Sequence, residues 1–262
     1  MITGELINRS FKVCLMICLL CFLTWQLSNA QNTVDGKISR LYFERVADRL
    51  YETREIPHNL ELAIQNYKKA LKINAHQSVI NWKISRCFWV LANRAVQDTE
   101  RYRFYKQGIN YSKLAIEQDS ENSNAHLWYS LNAGSQALER GVMNTLYMRD
   151  ALKKALETAI KLEPDNVNAI LGLAGWYFYV PTLFGGDHTK TFALIDQALK
   201  IDPNYTTIYY RKAEMLVAEK RYSEAVDVLQ RLLQIKNPTL PGDGREDKSR
   251  ARELLKTIEG EG

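Results

Sequence analysis

Ala159-Ile-Lys-Leu-Glu-Pro164-Asp-Asn and Ala198-Leu-Lys-Ile-Asp-Pro203-Asn are two copies of one phrase. Looser copies precede them at Ala70-Leu-Lys-Ile-Asn-Ala75 and Ala115-Ile-Glu-Gln-Asp-Ser120, and a fifth follows at Leu232-Leu-Gln-Ile-Lys-Asn237-Pro238. Each copy has the form of an amphipathic helix end: a small residue allows close approach of a neighbouring helix, and a proline or polar residue then stops the helix. The copies are spaced 45, 44, 39 and 34 residues apart. Such a period describes a unit of about 34 residues with insertions, a solenoid of stacked helix pairs.

Composition agrees with an all-α chain. Of 262 residues, 46% are apolar and 25% charged, and glycine, proline and alternating β-branched runs are too scarce to build a sheet. The net charge of +5 comes from basic residues scattered among acidic ones, which argues against a nucleic-acid partner.

Helical patterning runs from about Lys37, with breaks at Ile56-Pro57, Ala75 to Ser78, Asp98, Ser120 to Ser123, Gly141, Pro164 to Asn166, Val180 to Gly186 and Pro203-Asn204. The expected fold is an α-solenoid of about five antiparallel helix pairs over residues 31–238, then a linker and a C-terminal capping helix over 239–262. Pro57 is expected just inside the second helix. Units two to four carry extra residues, near Asp98 to Arg103, near Arg140 to Met148 and through Val180 to Asp187. In the last of these Pro181 ends a helix, Leu183 and Phe184 fold back onto the core, Gly185-Gly186 turns the chain and Asp187 caps the next helix.

Residues 1–30 have the pattern of a cleaved signal peptide: Arg9 and Lys12, an apolar run from Val13 to Trp25, and a small-residue site at Ser28-Asn-Ala30. The run is shorter than the roughly 20 residues that span a bilayer, so an exported, periplasmic, soluble protein is expected, with an uncleaved N-terminal anchor as the alternative. Cys14, Cys18 and Cys21 belong to that run, and Leu20 is unsuited to lipoprotein processing. Cys87 is left as buried filler.

No catalytic residue set, cofactor loop or metal cluster is expected. His58, His76, His126 and His188 are dispersed, and Gly185-Gly-Asp-His-Thr-Lys190 lacks both the spacing and the preceding strand of a phosphate loop. Trp82, Trp89, Trp128 and Trp176 each fall in the first helix of a unit, the one that lines the concave face, together with Tyr129, Tyr179 and Tyr210. Adjacent aromatics cannot all face the core, so some must face a groove. Trp82, Arg86, Trp89 and Asn93 form one helical stripe, in which Arg86 between two indoles would hold a carboxylate while the rings meet an apolar body.

These residues carry a resemblance. Residues from about Arg40 to Pro238 resemble the tetratricopeptide repeat superfamily, on Ala63/Tyr67/Ala70, Ala159/Pro164, Ala198/Pro203 and Tyr209/Ala213/Ala225. More narrowly, Trp82-x-x-x-Arg86, Ala125-His-Leu-Trp128-Tyr129, Asn168-Ala-Ile-Leu-Gly-Leu-Ala174 and Val180-Pro-Thr-Leu-Phe-Gly-Gly-Asp187 look like the TatT component family associated with TRAP transporters. They are more distantly similar to the eukaryotic regulators of microtubule dynamics. The nearer likeness implies a periplasmic ring-like homo-oligomer that partners a solute-binding protein, with small hydrophobic or acidic ligands. The expected function is thus an exported, non-catalytic protein-interaction scaffold accessory to TRAP-type transport, with direct binding of a small acidic or hydrophobic ligand as the alternative.

Overall fold

The computed structural model describes residues 35–74 and 76–261. The expected signal segment and its three cysteines lie outside the described residues. Among the described residues there are eleven α-helices and no strand. They are α1 (35–52), α2 (Asn59–Ile73), α3 (Ser78–Arg94), α4 (Asp98–Gln118), α5 (Ser123–Glu139), α6 (Val142–Leu162), α7 (Val167–Tyr179), α8 (His188–Ile201), α9 (Thr206–Ala218), α10 (Tyr222–Gln234) and α11 (Pro241–Glu261). Consecutive helices pair as α1/α2, α3/α4, α5/α6, α7/α8 and α9/α10, and α11 packs on α9 and α10.

The recurring phrase has one structural meaning. Ala70, Ala115, Ala159 and Ala198 are wholly buried, and the carbonyl of each accepts the backbone N–H four residues on, at Asn74, Asp119, Glu163 and Asp202, where the helix ends. At two copies a serine joins its own helix pair to the following repeat. The Ser78 hydroxyl donates to the Ala115 carbonyl at 2.9 Å and accepts from Asn122 Nδ2 at 3.0 Å. Ser123 does the same with the Ala159 carbonyl and Asn166 Nδ2, each at 2.9 Å. Asn122 and Asn166 meanwhile cap their own helices by accepting from Ala125 and Ala169 N–H.

Several local expectations are corrected. The extra residues of units two and three do not loop out: α4 and α6 each run 21 residues, against 13 to 15 in α2, α8 and α10, so the surplus lengthens a helix. Pro57 lies in the turn before α2, and His58 takes the left-handed φ of 67° there. Leu183 and Phe184 are 87% and 40% exposed rather than folded onto the core, because the 3-10 turn Thr182–Phe184 swings them outward. Residues 241–244, read as linker, form the first turn of α11. The remaining turn residues behave as expected. Pro181 closes the 3-10 turn through its carbonyl, Gly185 takes φ 104°, and Asp187 accepts from Lys190 N–H. At Gly186 a Cβ would meet the Val180 carbonyl oxygen.

A polar knot fixes the second pair against the third. Ser85 Oγ donates to the Gly108 carbonyl at 2.8 Å, and Asn132 Nδ2 reaches Ser85 Oγ at 3.1 Å and the Trp128 carbonyl at 2.9 Å. All of this is buried, and Asn132 occupies the space a side chain at Gly108 would need: a Cβ there would lie 2.0 Å from Asn132 Oδ1. Gly108→Ala should therefore displace Asn132 and lower stability by about 1–3 kcal/mol or more, read as a fall in the urea midpoint. An unchanged midpoint would show that α4 and α5 are not held this closely.

Candidate binding cavity

The odd-numbered helices, joined by Leu152 and Leu156 of α6, line the inner face, and the last helix narrows it. α11 returns to the first repeat, about 190 residues away in sequence. Arg54, at the end of α1 and only 4% exposed, is paired with Asp243 and, at 3.0 Å, with Glu246 of α11. Arg94 of α3 also pairs with Glu246 and donates to the Arg54 carbonyl at 2.8 Å, while Arg245 Nε meets Glu55 Oε1 at 2.6 Å. At Gly242 a Cβ would sit 2.6 Å from the Glu52 carbonyl oxygen, so the backbones approach as only glycine permits. The charges of α11 thus clasp the start of the chain.

This contact narrows the concave face to a cavity of about 910 Å³ that stays partly open to solvent. One wall is apolar and aromatic: Trp89, Trp128, Leu131, Leu152, Leu156, Leu171 and Trp176. Trp89 and Trp128 meet edge to face with centroids 5.8 Å apart. Their orientations are pinned differently. Trp89 Nε1 donates to Ser135 Oγ at 3.3 Å and Trp176 Nε1 to the Arg149 carbonyl at 2.9 Å, whereas Trp128 Nε1 is buried without an acceptor. The opposite wall is charged, from Arg211 and Glu214 of α9 and Asp243, Glu246, Asp247 and Arg250 of α11. Arg211 pairs with Glu214 at 2.8 Å and reaches across to within 5.8 Å of the Trp89 ring. Burial raises the Asp247 carboxyl above its ordinary pKa, although the Thr206 and Thr207 hydroxyls donate to it at 2.8 Å.

Of the residues expected to bind, Trp89, Asn93, Trp128, Trp176 and Tyr179 line the cavity. Trp82, Arg86, Tyr129 and Tyr210 are not part of that lining. Trp82 and Tyr129 pack at the edge of the core cluster around Trp128, and Tyr210 is buried against Leu216 and Leu229 with Arg250 over its ring at 4.1 Å. Arg86 lies one turn along α3 from Trp89 and Val90. Its guanidinium is sandwiched by Tyr51 at 3.6 Å and Trp82 at 5.2 Å, not by the two indoles expected, because α1 packs over α3 there. Its Nε is buried without a hydrogen-bond partner, and no carboxylate among the described residues pairs with it. Sequence reading missed Arg211, Glu214 and the α11 acids, whose only signal was a charged terminal helix.

The comparisons agree on what chain this is. The family described as Regulator of microtubule dynamics protein 1-3 matches residues 43–184, more than half the sequence, and a tetratricopeptide repeat family matches 185–239. The chain belongs to the regulator of microtubule dynamics family. It is 23% identical to regulator of microtubule dynamics protein 1 of Bos taurus over 97% of this chain and 84% of that one. With regulator 3 of the same species it shares 24% identity over 52% of this chain, and the match spans only 29% of that relative's length. Among solved structures, a thermophilic tetratricopeptide repeat protein of Thermus thermophilus superposes with a TM-score of 0.65 at 16% identity, over 82% of this chain and 98% of that one, which shows the fold alone. The narrower likeness to TatT proteins gives way to this family. The expected periplasmic, exported location is overturned as well, since the related proteins are regulators of microtubule dynamics from animals such as Bos taurus and Rattus norvegicus.

Cys87 is buried in the core that α3 shares with the first repeat, as expected, and burial pushes its thiol up to about 12. The folded pKa thus lies above the unfolded value of about 8.5, so this contribution to stability is complete below that value and is lost as pH rises through the folded pKa. At about pH 9 the folded chain should leave Cys87 unalkylated by iodoacetamide, and denaturant should expose it, as read by peptide mass spectrometry. Alkylation of Cys87 in the folded chain would contradict its burial.

Proposed function

We propose that this chain is a non-catalytic binding protein whose central cavity takes a ligand with an apolar body and an anionic end. The observation that carries this is the contact of α11 with the first repeat, which narrows the solenoid's groove to a partly open cavity of about 910 Å³. That volume falls in the range of about 300–1,000 Å³ usual for small-molecule sites, and a wall of three tryptophans and four leucines suits an apolar body.

The charges indicate where an anion would go. Arg54, Arg94, Arg211, Arg245 and Arg250 line the cavity, and each is already paired with a carboxylate. Of these, Arg211 also reaches the aromatic wall, within 5.8 Å of the Trp89 ring, where an apolar body and an anionic end would meet. A carboxylate or phosphate beside Arg211 would gain charge-assisted hydrogen bonds while the ligand's apolar body meets the tryptophans.

A second reading, a protein-interaction scaffold, is favoured by a different observation. The turns between paired helices and the start of α6 expose Val96 at 90%, Met143 at 77%, Tyr147 at 93% and Leu183 at 87%. Apolar groups presented this way suit a protein partner, and the relatives' name makes a component of the microtubule system the natural candidate. A role in TRAP-type transport has only the four resembling stretches behind it.

Laurate and dodecanol, which share a chain and differ in charge, separate these readings in a thermal-shift titration. Laurate should stabilise the chain by about 2.7 kcal/mol at a hundredfold excess over its Kd. Arg211→Ala should weaken laurate about tenfold or more and leave dodecanol unchanged, the size of a lost charged hydrogen bond. If neither compound shifts the melting temperature, the cavity reading fails and the scaffold reading stands.

A further inference from the structure

The charges lining the cavity are matched except at one residue. Every arginine there has a carboxylate partner, and most of the carboxylates are matched in return: Glu55 with Arg245, Glu214 with Arg211, Asp243 with Arg54 and Glu246 with Arg94. Asp247 lines the same cavity and has no cation partner among the described residues. It is only 4% exposed, and the Thr206 and Thr207 hydroxyls both donate to one of its oxygens, Oδ2, at 2.8 Å. Oδ1 accepts no hydrogen bond from the described residues, yet it is not sealed in protein as the unpartnered Arg86 Nε, Trp128 Nε1 and Asn132 Oδ1 are. A carboxylate oxygen of a nearly buried side chain is thus left open to the cavity. The two hydroxyls suffice to fasten α11 to α9, whereas a largely desolvated charge is costly unless a cation meets it.

The surroundings of Asp247 narrow the choice of cation. No group of three His, Cys, Asp or Glu side chains among the described residues could hold a metal ion, and a hard cation needs several oxygen ligands. An ammonium needs fewer. Thr207, which holds Asp247, and Arg211, the anion contact proposed above, are four residues apart on α9, so they are neighbours on one helix face with about 5–6 Å between Cβ atoms. Sites for opposite charges this close together suit a single head group that carries both. We propose that Asp247 is a cation subsite of the central cavity, receiving a primary ammonium that the ligand carries beside its anion. This rests on the binding role proposed for that cavity. The ammonium donates to Oδ1 while Thr206 and Thr207 keep Oδ2 in place, the anion meets Arg211, and the apolar chain lies against the tryptophans. Without that oxygen an added ammonium would only weaken binding, because its charge would enter the cavity uncompensated.

Laurate, 2-aminododecanoate and N-acetyl-2-aminododecanoate share one chain and one carboxylate and differ only at the α-carbon, which bears a hydrogen, an ammonium or an uncharged amide. In calorimetric titrations of the full chain at neutral pH, 2-aminododecanoate should bind about tenfold or more tighter than laurate, the size of a charged hydrogen bond, and the N-acetyl compound no tighter than laurate. Asp247→Asn should abolish the preference for the ammonium. Equal or weaker binding of 2-aminododecanoate than of laurate by the unaltered chain overturns the subsite, as does a preference that survives Asp247→Asn. The comparison of the compounds on the unaltered chain decides the matter even if Asp247→Asn folds poorly. Laurate bound with no preference for the ammonium removes only the subsite and leaves the cavity reading standing; if none of the compounds binds, both fall.

Discussion

Arg54 is a buried cation at the end of the first helix, held by two carboxylates from the last. Isolating a charge from water costs several kcal/mol, and a buried pair does little better than recover that cost, so the interaction specifies a geometry more than it adds stability. The geometry it specifies is closure. Without carboxylates at 243 and 246 the first repeat would carry an unpaired charge, and the inner face of the solenoid would be a groove. With them the chain's two ends meet and the groove becomes a partly open chamber with an aromatic wall and a charged wall.

The division of the two walls follows from how the repeats are built. The first helix of each pair faces inward, so one large residue per repeat is enough to line the chamber, and Trp89, Trp128 and Trp176 supply it from α3, α5 and α7. Their backs rest on the even-numbered helices, whose 21-residue length in α4 and α6 widens the middle of the array. The charged wall comes from α9 and α11, where the ring must meet itself.

Much of the fold is legible in the sequence because it is local. The alanines at 70, 115, 159 and 198 mark helix ends, and the asparagines at 122 and 166 mark the caps that follow. Gly185 and Asp187 could be read directly from turn and cap chemistry. The candidate site was legible by half. An inward-facing aromatic is signalled by its place in the repeat, which found Trp89, Trp128 and Trp176. Arg86 was recognised as unusual, but its aromatic neighbour Tyr51 comes from another helix and carries no spacing signal. Leu183 misled, since an apolar residue in a turn looks the same whether it folds inward or out.

By itself, then, the sequence determined the repeat, the helix pairing and the aromatic inner face, because each depends on residues within one or two helical hairpins and leaves a periodic trace. Only the tertiary structure decided that the array closes, where its cavity lies, and which arginines are already neutralised. Those depend on contacts between residues about 190 positions apart, such as Arg54 with Asp243 and Glu55 with Arg245. The summed small rotations of all the intervening repeats set whether such residues meet, and no single repeat records that sum.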